Sequence, residues 1–369
     1  AAWADNPGGK TWAAYQCYGD PGWTFRRGVG DAQGAQRPVG DEYAGIASAL
    51  GLALALEELT VHARWSGAAS EAELQTQRQT QREKLRHLEA RFAALWGGMG
   101  AVAEAFAVAH AETGDVEAAI GWYERAVRAD DGSASLRAAE QLQNLRVRRA
   151  WQSVPDPAPA ASAVKAARSE IRDSITRLES LADRHPGIER CSLIGSAWKQ
   201  LAMLESRAGD AAAARAALDA AAQAYGQAET LAAEAGSGEL FHPALNRMAL
   251  ELVRHGADRG WPGLDPARTQ AVRHSLAQRT RDDPVFWSCI GQLEVELYEA
   301  LAGRRLAASA TALMEGYADV HARLGATQWW RSVADQARFV LEPVLARTQG
   351  AEHRAAATLL ARLRAYAGQ

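Results

Sequence analysis

Residues 100–131 read GAVAEAFAVAHAETGDVEAAIGWYERAVRADD, and the order of small and bulky residues in this stretch decides the fold. Two runs of helix-forming residues flank Gly114-Asp115, a pair suited to ending one helix and capping the next. Ala107 lies on the first run; Ala119 and Ala126 lie on the second, with Tyr123 between them. Alanine at a helix crossing lets two axes approach closely, and a neighbouring large side chain fills the gap beside it. The stretch therefore predicts an antiparallel helical pair, about 100–113 and 116–129. A second stretch repeats the pattern: Trp198, Leu201 and Ala202 precede Gly209-Asp210, and Ala214, Leu218 and Ala221 follow.

Both stretches resemble the tetratricopeptide repeat, a 34-residue helical pair in which small residues recur where the helices touch. Asp131 stands where the family's closing proline would be. Gly114 and Gly209 are 95 residues apart, which is not a multiple of 34, so a regular tandem array is not expected. A third candidate around Trp287 to Ala312 falls out of step, with Glu296 where an alanine is expected from Gly303. The fold class expected is all-α: an irregular tetratricopeptide-like solenoid with a short N-terminal strand and loop segment. Further helices are predicted at about 41–65, 70–96, 134–150, 161–184, 190–208, 211–234, 243–255, 267–281, 285–302, 305–324, 328–347 and 351–367. Ser70 and Glu73 form a capping box, and Asp265-Pro266 and Asp283-Pro284 place a capping aspartate before a first-turn proline. The apolar residues from Ile46 to Leu59 cover nearly all sides of the first helix and predict a central position. The divisions expected are 1–40, 41–150, a proline-rich linker at 151–160, and 161–369.

Composition narrows the function classes. The 369 residues are 48% hydrophobic and carry a net charge of −3, which is no electrostatic footprint for nucleic acid or an anionic membrane. The most apolar stretch, 45–56, is shorter than the roughly 20 residues a membrane span needs. The three cysteines Cys17, Cys191 and Cys289 lie far apart, so neither a disulfide framework nor a zinc knuckle is implied, and a reducing, cytoplasmic setting is expected. The nine histidines show no metal spacing, and no cofactor or metal is expected. Gly9-Lys10-Thr11 lacks the earlier glycine of a phosphate loop, since Ala4 stands there. Cys17 has no histidine near it in sequence to activate it, the first being His62, and reads as a packed cysteine.

Thr11 to Pro21, TWAAYQCYGDP, reads as a strand and hard turn at the head of a helical chain. With Trp12, Tyr15, Tyr18, Gly19, Asp20 and Pro21 in place, it resembles the phrase that closes the sheet of CHAT domains, caspase-like cysteine protease domains of bacteria. The resemblance covers about 25 residues and implies a non-catalytic helical arm following such a domain. It places the family's catalytic histidine and cysteine outside these residues.

Helical repeats stack into curved arrays whose inner face binds peptide or protein. The inner-face residues expected are Glu104, Val108 and Glu112 in the first repeat and Lys199, Met203 and Arg207 in the second. Trp329-Trp330 adds a contact pair, one ring facing the core and its neighbour, about 100° round the helix, turned outward. The function expected is a protein-interaction and regulatory module whose partner is a protein or peptide, its own upstream protease domain first among them. The alternatives are a self-associating scaffold and a helical enzyme with its own pocket.

Overall fold

A computed structural model describes residues 42–64, 71–155, 159–282, 285–323 and 327–368. The strand phrase at 11–21, Ser70 and Asp283-Pro284 lie outside the described residues. The chain divides into two compact units, 1–44 and 45–369, and the second is the subject here. Among the described residues all regular structure is helical, in fourteen helices. These are α1 Ala49–Arg64, α2 Glu71–Trp96, α3 Gly100–Glu112, α4 Val116–Arg128, α5 Leu136–Gln152, α6 Ala161–Ala182 and α7 Ile188–Arg207, followed by α8 Ala211–Glu234, α9 Phe241–His255, α10 Pro266–Asp282, α11 Phe286–Ala302, α12 Leu306–Arg323, α13 Thr327–Arg347 and α14 Gly350–Tyr366.

The turn between α3 and α4 shows why the chain folds back. Gly114 has φ +84, Gly209 between α7 and α8 has φ +80, and Arg304 between α11 and α12 has φ +54. Each closes the same pair of hydrogen bonds. Asp115 N–H donates to the His110 carbonyl and Gly114 N–H to that of Ala111, at 2.9 and 3.1 Å. Asp210 and Gly209 donate to Glu205 and Ser206 at the same distances, and Arg305 and Arg304 to Ala300 and Leu301. These bonds satisfy carbonyls left over at a helix end, and they require a left-handed residue. In the first two turns the next aspartate caps the following helix, Asp115 accepting from Ala118 N–H at 3.1 Å and Asp210 from Ala213 N–H at 2.9 Å.

The three turns stand at 114, 209 and 304, evenly spaced by 95 residues. The unit of repetition is therefore a block of four helices: α3–α6, α7–α10 and α11–α14. The third candidate falls out of step when it is counted from Gly303. Gly303 is still right-handed, with φ −79. Anchoring on Arg304 restores the register: Ala126 corresponds to Ala221 and Gly316, and Glu104 to Lys199 and Glu294. A left-handed arginine costs roughly 1–2 kcal/mol that glycine does not. Arg304→Gly is thus expected to stabilise the protein by up to about 1 kcal/mol, after the larger chain entropy of glycine is deducted. Urea denaturation should show a higher midpoint with an unchanged slope.

Packing within blocks is close. An added Cβ on Gly195 would stand 2.6 Å from the Tyr225 ring, so α7 and α8 meet where only glycine fits. Phe106 stacks on Trp122 with centroids 4.5 Å apart, joining α3 to α4. One apolar cluster holds Val147, Trp151 and Val154 against Ile171, Ile175 and Leu201. A larger cluster runs from Tyr225 of α8 to Leu363 of α14.

Two expectations are corrected. The first helix begins at Ala49 rather than 41, because the Ser48 hydroxyl accepts from Gly51 N–H at 3.0 Å and starts it there. It is not central either: Leu52, Leu56 and Leu59 are buried, but Leu50, Leu54 and Val61 are exposed. At the expected linker, α5 runs on to Gln152, and Trp151 and Val154 are buried against α6, so the chain packs through this point. Residues 156–158 lie outside the described residues.

Candidate functional site

The expected inner face of the second repeat is covered by the chain's own α13. Lys199 Nζ donates to Asn246 Oδ1 at 2.9 Å and to Gln336 Oε1 at 2.5 Å, and Gln336 Nε2 donates to the Tyr298 hydroxyl at 2.7 Å. Lys199 thus links α7, α9, α11 and α13. Met203 packs against both apolar clusters. Arg207 donates to the Val154 carbonyl at 2.9 Å, and its guanidinium lies 4.0 Å from the Trp151 ring centre. These two side chains hold helices together. In the first repeat, Glu104 accepts from the Ser135 N–H at 2.8 Å and from its hydroxyl, which holds the start of α5.

Glu294, the third-block counterpart of Lys199, lies in the same interior. Burial pushes its carboxyl up to about 7, and Lys199 pulls the other way. Burial lowers Lys199 to about 8, with Glu294 and Asp335 opposing. Loss of water around the His242 imidazole, and then the Lys199 charge, hold it below its ordinary range, at about 4. A carboxyl that holds its proton more tightly in the folded chain gives stability that is complete below its unfolded value near 4.5. That stability is lost as pH rises through about 7. Glu294→Gln is therefore expected to melt at a higher temperature than the native chain at pH 8 and at the same temperature at pH 4.5. Thermal denaturation across that range checks it.

Beside this interior opens a groove of about 380 Å³. One wall comes from α1, α3, α4 and α5, with Arg64, Val108, Glu112 and Tyr123 facing Arg137, Asn144 and Arg148. The other comes from α11 and α13, with Trp287, Trp329, Arg331 and Ser332. Of the expected contact residues, Val108, Glu112 and Trp329 line this groove, whereas Trp330 is fully buried in the core.

The charges in the groove are not balanced in pairs. Arg64 holds Glu112 at 2.7 Å, and Arg137 reaches Glu189 at 3.7 Å. Arg148 and Arg331 make no hydrogen bond or ion pair among the described residues. Burial lowers the Arg148 guanidinium, Asp335 and Glu112 act to raise it from a distance, and the neighbouring Arg331 charge lowers it further. Asp335 itself accepts from Trp151 and is raised by burial. A second hollow, about 340 Å³ between α8 and α9, is different. There Arg247 pairs with Glu229 and Arg254 with Asp219, both at 2.5 Å, so its guanidiniums are already neutralised.

No described group of three or more His, Cys, Asp or Glu side chains is placed to hold a metal ion. Cys191 is buried and Cys289 half-buried, both as free thiols. Among the described residues no helix is long and apolar enough to cross a membrane.

Sequence reasoning missed Arg148 and Arg331. Each stands on a helix with other arginines nearby, and only the folding of α13 across α5 sets them apart.

The fold is an all-helical array that contains tetratricopeptide-like helical pairs. Residues 115–251 match the family model described as Tetratricopeptide Repeats-Sensor, which spans α4 to most of α9 and includes the Gly209 turn, Lys199 and Arg148. A search of the curated proteins returns no relative of this chain.

Proposed function

We propose that residues 45–369 form a sensor and protein-interaction module: an anionic group occupies the groove, and its presence sets how the array holds a protein partner. The observation that carries this reading is a pair of guanidiniums with no partner among the described residues, Arg148 on α5 and Arg331 on α13. Guanidinium presents planar, forked donors that match carboxylate and phosphate oxygens. An anion bound by both would pin the first block to the third and change the rigidity of everything between them. The partner in this reading is a neighbouring caspase-like domain, supported by the phrase Thr11 to Pro21. The interior Lys199 and Glu294 serve the fold in this reading, since the Lys199 ammonium is held by two side-chain amides.

Inorganic pyrophosphate is a suitable probe for the anion. Calorimetry on the full chain should show saturable binding, and hydrogen exchange should slow in both α5 and α13. The double variant Arg148→Gln, Arg331→Gln should bind at least tenfold more weakly while melting as the native chain does. Absence of saturable binding, or protection confined to one of the two helices, overturns the reading.

A further inference from the structure

We infer that the chain assembles end to end with copies of itself, the outward face of α1 in one copy laid on the outward face of α14 in the next. Neither Arg148 nor Arg331 takes part, so this inference stands apart from the anion reading. The first argument concerns the ends of the array. An interior helix of a stacked array is covered from both sides, whereas a terminal helix keeps its outer face in water and is normally polar there. On α1 the side facing the rest of the fold carries Leu52, Leu56 and Leu59, all buried. The opposite side carries Leu50, Leu54 and Val61, which are 70%, 57% and 47% exposed. With Glu57 they stand at i, i+4, i+7 and i+11, the spacing of one helical face. An exposed apolar face of this kind marks a contact site.

The second argument concerns what fits that face. The last helix, α14, buries Ala356, Leu359, Leu360 and Leu363 and turns Arg354, Thr358, Ala361 and Ala365 outward, all four exposed. Their spacing is again i, i+4, i+7 and i+11. Laid antiparallel, the two faces set Leu50 against Ala365 and Leu54 against Ala361, large against small, which is how close helix crossings are filled. The third argument concerns charge. In that register Glu57 meets Thr358, with Arg354 and Arg362 one turn to either side. Glu57 and Glu58 on α1, and Arg354 and Arg362 on α14, are exposed and make no hydrogen bond or ion pair among the described residues. A carboxylate set within an apolar stripe favours a partner that brings a cation to it and disfavours one that does not. A second α1 carries no cation on that face, so α14 is the better match. Because the two faces differ, the contact is heterologous: each pair of copies leaves one face free at either end, and the assembly grows as a chain or closes as a ring.

The test is sedimentation velocity and light scattering of the full chain from about 1 to 100 μM, a range that spans dissociation constants typical of small interfaces. The mass is expected to rise with concentration above that of a single chain. Leu54→Lys and Ala361→Arg should each weaken association about tenfold or more, since each buries a charge at the contact. Both stand at exposed positions, so their urea midpoints should match the native chain's. Mixed one to one, the two variants should form a complex of two chains that grows no further, because one supplies an intact α14 face and the other an intact α1 face. Glu57→Arg should also weaken association, and adding Arg354→Glu and Arg362→Glu to the same chain should restore it. A single-chain mass at every concentration overturns the inference, as does native-like association of Leu54→Lys or Ala361→Arg, or a mixture that associates no better than its components. Hydrogen exchange slowed in α1 but not in α14 on association would mean that something other than α14 covers the leucine face, and overturns it too.

Discussion

Trp330→Ala is expected to lower stability by about 3–5 kcal/mol, the range for removing a fully buried aromatic ring. The ring sits on α13 with no exposed surface. It meets Phe286 of α11 edge-on at 5.5 Å, Tyr317 of α12 at 6.4 Å, His321 of α12 at 5.2 Å and Tyr366 of α14 at 5.1 Å. One side chain therefore joins all four helices of the third block. Alanine there leaves a hollow that these neighbours cannot close without moving their own partners, since His321 is stacked on Tyr366 at 4.0 Å and Phe286 meets Trp329 at a tilt, 5.1 Å away. Urea denaturation should show a lower midpoint. Trp330→Phe keeps much of the contact surface and should lose clearly less. The same substitution reports on the groove, because Trp329, Arg331 and Ser332 are its neighbours on α13. Pyrophosphate binding should weaken in Trp330→Ala even at temperatures where the chain remains folded. A change under about 1 kcal/mol would mean that the third block does not depend on this ring.

Much of the array is legible in the sequence because its punctuation is chemical. Gly114-Asp115 and Gly209-Asp210 announce a left-handed stop and a capped start, and both form as read. The same turn at Arg304 carries no such sign. A left-handed arginine is set by the helices on either side of it, so the third turn of the 95-residue spacing is visible only in the backbone. The Ser48 start of α1 is hidden for a similar reason: the helix-forming residues before it continue the pattern, and one hydroxyl decides. Inner-face periodicity placed Lys199 and Glu104 toward the interior of the array, but not what meets them. Gln336 reaches Lys199 from 137 residues away, and no local pattern encodes that contact. Trp329 and Trp330 differ in fate as neighbours on a helix must, one at the groove and one in the core. The groove's Arg148 and Arg331 are the least legible part, since what sets them apart is that no described residue pairs with them in three dimensions.

Breaking the ion pair between Glu140 on α5 and Arg190 on α7 is the other large effect expected. Arg190 Nε donates to Glu140 Oε1 at 2.7 Å, a second guanidinium nitrogen stands 2.6 Å from the same oxygen, and Nη1 donates to the Leu181 carbonyl at 3.3 Å. The two side chains are only 9% and 8% exposed. Removing one partner from a buried pair leaves an uncompensated charge in the interior, which costs about 3–5 kcal/mol. Exposed pairs behave differently. Arg128 and Glu124 on α4 are as close, at 2.8 Å, but Arg128 is 73% exposed, and such pairs are worth about 0–1 kcal/mol. Arg190→Ala and Glu140→Ala are each expected to lower the urea midpoint strongly, and Arg128→Ala scarcely at all. In the double variant Glu140→Leu, Arg190→Met no lone charge remains, so its loss should fall well short of the sum of the single losses. An additive result would show that the two residues act separately. The pair also bears on the groove. Arg137, Asn144 and Arg148 project from the same helix that Glu140 ties to α7. Each single variant should therefore weaken pyrophosphate binding, and the apolar double variant should restore it, because what the groove requires of this contact is the position of α5 and not the charge that holds it.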